Sequence, residues 1–99
     1  MGTFIFDCIV KPDSPDGVIA SAGSEKDGWA LFVENGIPGF VVSHGGYLQF
    51  VDGATKITGK WSRLVAVIEN YNNVIKLYSD GKMLGQRQML LPVQPIKNN

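Results

Sequence analysis

The 99-residue chain has a single cysteine, Cys8, and a single histidine, His44. One cysteine excludes an internal disulfide and leaves the redox compartment undecided. One histidine excludes a histidine metal cluster or a Ser-His-Asp triad assembled within one chain. Neither sign of charge is in surplus: nine Lys and Arg balance nine Asp and Glu. A nucleic-acid binder would need an excess of basic side chains to neutralise phosphates, so that partner class is excluded. The same balance leaves little charge repulsion to oppose self-association. No apolar run approaches the roughly 18 residues of a membrane span, so no membrane partner is expected. The start of the chain has no basic region, and Asp7 interrupts its apolar run. It reads as a strand, not as a signal peptide. Helical periodicity, internal repeats and low-complexity segments are all missing.

What is present is period two. Apolar residues make up 44% and charged residues 18%, the balance of a soluble globular protein. Residues 1–99 are expected to form one domain with a modest core, since a chain this short buries only about two-thirds of its unfolded surface. Phe4, Phe6, Cys8 and Val10 alternate with Ile5, Asp7 and Ile9, a strand ended by Pro12 and Pro15. Gly17–Ala22, Trp29–Glu34, Ile37–His44, Tyr47–Val51, Trp61–Glu69, Val74–Ser79 and Lys82–Gln88 read as further strands, with a short one at Ala54–Ile57. Asn35-Gly36 and Asp80-Gly81 are hairpin signals, because both residue types accept positive φ. Residues 89–99 carry Pro92 and Pro95 and read as an extended tail. The pattern predicts an all-β antiparallel sandwich or jelly roll of about seven to nine strands.

Two strands are apolar on both faces. Trp61, Val65 and Val67 stand opposite Leu64, Ala66 and Ile68, and Trp29, Leu31 and Val33 opposite Ala30 and Phe32. A sheet with one wet face alternates apolar with polar, so both faces of these strands are expected to be covered. A homodimer, or docking on a parent catalytic domain, would supply the cover.

Three segments together resemble a known family. Phe6-Asp-Cys-Ile-Val-Lys-Pro12 resembles the strand that opens concanavalin A-like, laminin G-type modules. Gly28-Trp-Ala-Leu-Phe-Val-Glu-Asn-Gly36 is similar to their first hairpin, and Gly59-Lys-Trp61 with Leu64-Val-Ala-Val67 and Ile75-Lys-Leu-Tyr-Ser-Asp-Gly-Lys82 to their central strand pair. Asp16–Gly23 also resembles the sandwich modules appended to bacterial arylsulfatases. Ser62-Arg63 departs from the pattern, which often has His-His there. The flanking strands are short or missing, so by this resemblance the chain reads as a trimmed module or part of a larger protein. The likeness covers residues 4–88 and rests on strand and turn signatures, which specify fold more than function.

Catalytic sets are missing. Glucan-cleaving enzymes of this fold need paired carboxylates about 5 Å apart, and Glu25-Lys26-Asp27 reads instead as a solvated loop. Neither Cys8 nor Ser14 starts a sulfatase nucleophile motif, and Cys8 falls in the core register. No cofactor is called for. Calcium is the one ion the resemblance allows, through Asp13, Asp16, Glu25 and Asp27, although their spacing is not that of a calcium loop. Trp29 and Trp61 read as buried. His44, Tyr47, Tyr71 and Asn73 lie at turns, where aromatics flanked by hydrogen-bonding groups can take a sugar, and they are the candidate ligand residues. The resemblance implies an extracellular or periplasmic module that recognises a glycan or a protein within or alongside a carbohydrate-processing enzyme such as an arylsulfatase. The competing expectation is a structural oligomerisation domain with no ligand of its own.

Overall fold

Period-two alternation builds eight strands: β1 Thr3–Val10, β2 Gly17–Gly23, β3 Gly28–Glu34, β4 Ile37–His44, β5 Tyr47–Asp52, β6 Ser62–Glu69, β7 Val74–Ser79 and β8 Lys82–Gln88. The computed structural model describes residues 3–24, 26–69 and 72–88, and the expected tail at 89–99 lies outside them. The strands form two four-stranded antiparallel sheets. Sheet A has the order β1-β6-β7-β8 and sheet B the order β2-β3-β4-β5. This is the expected all-β jelly-roll sandwich.

The turns follow from their residues. Asn35 and Gly36 have φ of 53° and 80°, and Asp80 and Gly81 have 51° and 82°. Positive φ at both central positions gives the turn whose twist matches the flanking strands. Asp80 adds a tie, its carboxylate accepting from the Arg63 amide at 2.9 Å. Asp16 does the same for the Asn35 amide at 3.0 Å. These two loop carboxylates are thus engaged in holding hairpin ends.

Facing rows of the two sheets make the core. Sheet B contributes Leu31, Val33, Phe40, Val42 and Val51, and sheet A contributes Leu64, Ala66, Ile68, Ile75 and Leu77. Trp29 wedges between Phe6 and Phe40, with ring centroids at 4.9 and 6.0 Å. Cys8 packs against this core, as expected. Burial, with the neighbouring Asp7 charge adding to it, raises its thiol above the ordinary value. Two readings are corrected. Residues 54–57 form no strand; their loop inserts Ile57 into the core instead. Trp61 is not buried: β6 begins one residue later, and Trp61 is 69% exposed at the strand's mouth.

The outer face of sheet A carries Val65 and Val67, half-buried among their own neighbours. Val67 sits between Ile5 and Lys76 in register, and Val65 between Asp7 and Tyr78. Long polar chains pair across this face. The Arg63 guanidinium holds Asp7, with Nε donating to Oδ1 at 3.0 Å, and Lys76 contacts Glu69 at 2.6 Å. These hydrogen bonds hold both carboxyls below their ordinary values, the Asn72 amide adding to the effect at Glu69.

Two outcomes follow. Phe40→Ala should cost about 3–5 kcal/mol in urea unfolding, a large share of a small domain's stability, whereas Trp61→Ala should change it by less than about 0.5 kcal/mol. Both carboxyls are depressed in the folded state, so their contribution is present above the unfolded pKa. It is lost as pH falls through the lowered folded value. Asp7→Asn should therefore flatten the acid limb of a stability-versus-pH curve and leave the alkaline limb unchanged.

Candidate functional site

Register places a second set of side chains on the outer face of sheet B. Ser21, Ala30, Val41 and Phe50 stand in one cross-strand row, and Val18, Phe32, Gly39 and Asp52 in the next. A third row joins Gly28, Ser43 and Leu48. Two clefts open along this face and share Val41. The larger, about 760 Å³, is lined by Ser21, Ser24, Lys26, Ser43 and Leu48 among others. The smaller, about 370 Å³, is lined by Phe32, Glu34, Asn35, Ile37, Phe50 and Asp52 with the shared valine. Together they make one trough across the sheet.

The floor is flat because Gly39 is a glycine. The Phe32 ring lies against its Cα, where a Cβ would come within 2.5 Å of the ring's far carbon. Phe50 is 49% exposed, and the Arg87 guanidinium covers one side of its ring at 5.4 Å from the centroid. Leu48, 65% exposed, extends the apolar floor towards the β4–β5 turn.

The end wall is the β2–β3 loop, tied to that turn. Gly46 donates to the Lys26 carbonyl at 3.0 Å, and the Gly45 amide to Asp27 Oδ1 at 3.2 Å. His44 Nδ1 lies 3.4 Å from the same carboxylate oxygen. The Ser43 hydroxyl donates to the Ser24 carbonyl at 3.3 Å. Gly28 allows the close approach, since a Cβ there would stand 2.4 Å from the Ala22 carbonyl oxygen. The trough is therefore polar at both ends. Lys26 and serine hydroxyls stand at one end, and Glu34, Asn35 and Asp52 at the other.

The residues expected from sequence fall beside this trough. His44 and Tyr47 are a cross-strand pair at the β4–β5 turn. By alternation they share the core side of their strands with Val42 and Gln49, and neither lines the trough. His44 braces the wall through Asp27, and Tyr47 stands 65% exposed at the sandwich end. Asn73 lies in the β6–β7 turn with φ of 53°, on the other sheet, and its side-chain oxygen is buried without a partner among the described residues. Tyr71 lies outside the described residues. The topology puts both turns at the same end of the sandwich, and among the described residues no hydrogen bond or ring contact joins them.

The missed residues are Phe32, Val41, Leu48 and Phe50. Their signal was the two-sided apolarity of the strands, which for Phe32 was read only as a surface awaiting cover. For calcium, the described residues contain no group of three or more His, Cys, Asp or Glu able to hold a metal ion. Asp16 and Asp27 are engaged by backbone amides.

No family model and no curated protein matches the chain. Solved structures do. The carbohydrate-binding module CBM40 of the Ruminococcus gnavus IT-sialidase, bound to α2,3-sialyllactose, superposes with a TM-score of 0.75 at 17% identity, over 94% of this chain and 55% of that one. The same module bound to α2,6-sialyllactose gives 0.72 at 14% identity, over 94% and 57%. A structure of botulinum neurotoxin type C, whose cell entry depends on interaction with two ganglioside molecules, gives 0.64 at 16% identity, over 93% and 24%. The likeness is one of fold. The chain spans little more than half the length of the sialidase modules it matches. The jelly roll is common to these proteins, and none of these matches is named as a laminin G module.

Gly39→Ala tests the floor. The added methyl must displace the Phe32 ring, so overpacking should cost about 1–3 kcal/mol in urea unfolding and shift the Phe32 ring resonances by NMR.

Proposed function

We propose that the chain is a non-catalytic glycan-binding module of laminin G-like type, working within or alongside an exported carbohydrate-processing enzyme such as an arylsulfatase. The trough on the outer face of sheet B carries this reading. Sugars bind by laying their C–H faces on aromatic or aliphatic side chains while hydroxyls meet polar groups at the edges. The trough has that arrangement, with Phe32, Val41, Leu48 and Phe50 as floor and Ser21, Ser24, Lys26, Glu34, Asn35 and Asp52 as rims. Its apolar area is shallow and divided, which suits an extended saccharide better than a compact apolar molecule. The sialyllactose-bound and ganglioside-dependent neighbours support a saccharide as the ligand class. Two rim groups differ in charge, so orientation along the trough is set electrostatically. An acidic substituent is favoured beside Lys26 and disfavoured beside Glu34 and Asp52.

His44 acts here as a positioning residue, holding the loop that presents Ser24 and Lys26. Tyr47 and Asn73 are at most rim contacts for a ligand that extends past the turn.

A second reading, a structural module docked on a parent catalytic domain, draws on the outer face of sheet A. Ile5, Ile9 and Met83 are exposed there beside half-buried Val65 and Val67, with Trp61 exposed at the mouth of β6.

Screening on a glycan array, followed by calorimetry on the best binder, separates the two. Phe50→Ala should weaken binding roughly fivefold or more, the worth of about 1 kcal/mol from one aromatic contact, with the fold intact by circular dichroism. Trp61→Ala should leave binding unchanged. No binding to any glycan, or binding lost with Trp61 and kept without Phe50, would contradict the proposal.

A further inference from the structure

Among the described residues the two open sheets have four edge strands, and these are not equally protected. β2 is broken by a register shift between Val18 and Ala20 and has glycines at both ends. β8 has a shift opposite Leu77 and Tyr78 and carries Lys82, Gly85 and Arg87. β5 is closed against β8: the Arg87 guanidinium donates to the Phe50 carbonyl at 3.4 Å, and the Gly85 backbone lies on Val51. Such bulges, glycines and cations are how sheets stop their edges from pairing with other chains.

β1 has none of them. It runs eight residues in unbroken register with β6, Thr3 opposite Glu69 through Val10 opposite Ser62. It contains no proline, glycine, lysine or arginine. Its only charge, Asp7, is taken up by Arg63, so it guards nothing. Ile5 and Ile9 are 67% and 69% exposed on its outer face, and Phe4 is partly exposed on its inner one.

We infer that β1 is a homodimerisation edge, pairing antiparallel with β1 of a second copy about a two-fold axis at Asp7. Facing residues of an antiparallel pair share a face, so two core rows line up only if even positions meet even ones. Near-complete overlap then leaves axes at Phe6 or Asp7. An axis at Phe6 sets Ile5 against Asp7 and Ile9 against Thr3, apolar against polar. An axis at Asp7 sets Ile5 against the partner's Ile9, Phe4 against the partner's Val10, and Phe6 against the partner's Cys8. Every apolar side chain of the strand then meets another. The two Asp7 carboxylates face each other, and each is already held by its own Arg63, so the centre is a four-charge cluster of zero net charge. The partner is a second copy because this one strand complements itself on both faces, and a chain of zero net charge does not resist the approach. The joined sheets form one eight-stranded sheet and leave the trough of sheet B open on each copy.

Sedimentation equilibrium of the full chain, from low micromolar to near-millimolar concentration, tests this. The expected result is twice the chain mass for the wild type and the monomer mass for Ile5→Lys and Ile9→Lys. Both side chains are exposed, so circular dichroism should show each variant folded; Leu48→Lys, on the other sheet, should remain dimeric. Register is read from cysteine variants in a Cys8→Ser background. Asp7→Cys should crosslink to its mate with a short bismaleimide, and Ile9→Cys should not. A wild type that stays monomeric at the highest concentration, a dimer that survives both lysine variants, or crosslinking through Ile9→Cys alone overturns the inference.

Discussion

Two apolar rows face each other across the sandwich, and every functional feature depends on how they align. Leu31, Phe40, Val42, Leu64, Ile75 and Leu77 are essentially removed from water, and Trp29 locks the end of the core between Phe6 and Phe40. Side chains alternate strictly along a strand, so committing these residues inward commits Ala30, Phe32, Val41, Leu48 and Phe50 outward. A slip of one residue would bury the trough's floor and expose the core. Core registry and the presentation of the outer face are thus one constraint. The same holds in sheet A, where burying Leu64, Ala66 and Ile68 puts Val65, Val67 and Arg63 on the outer surface.

That outer surface is managed differently on the two sheets. On sheet A, ion pairs between neighbouring strands lie across the valines and leave the apolar exposure mostly at the β1 edge and at Trp61. On sheet B, the long cation found over the face among the described residues is Arg87, at the edge, against the Phe50 ring. Gly39 lets Phe32 lie flat, and the polar groups are held at the two ends by turns and loops. The proposed ligand trough on the face of sheet B and the proposed contact edge at β1 of sheet A follow this difference.

Much of the architecture was legible because turn chemistry is local. Asn35-Gly36 and Asp80-Gly81 adopt the positive φ their side chains suggested, and the strands between them fall where alternation placed them. Trp61 was misread because alternation reports which residues share a face, not where a strand begins or which face has a lid. Ile57 was assigned to a strand because a loop that plugs a core leaves no periodicity. The site was less legible still. His44, Tyr47, Tyr71 and Asn73 were chosen for chemistry near turns, a one-dimensional criterion. The trough needs Ser21, Ala30, Val41 and Phe50 in one row, and that row is set by three separate strand pairings. Phe32 and Phe50 looked like ordinary strand residues, and only the register across Gly39 makes them a floor.

Chemical-shift mapping of the amide and methyl spectrum, titrated with the best saccharide found on an array, tests the central claim most directly. The account predicts perturbations concentrated on Ala30, Phe32, Val41, Leu48 and Phe50, with weaker ones at Ser24 and Lys26 and none on Val65 or Val67. Perturbations centred on sheet A, or confined to Tyr47 and Asn73 at the end of the sandwich, would contradict it.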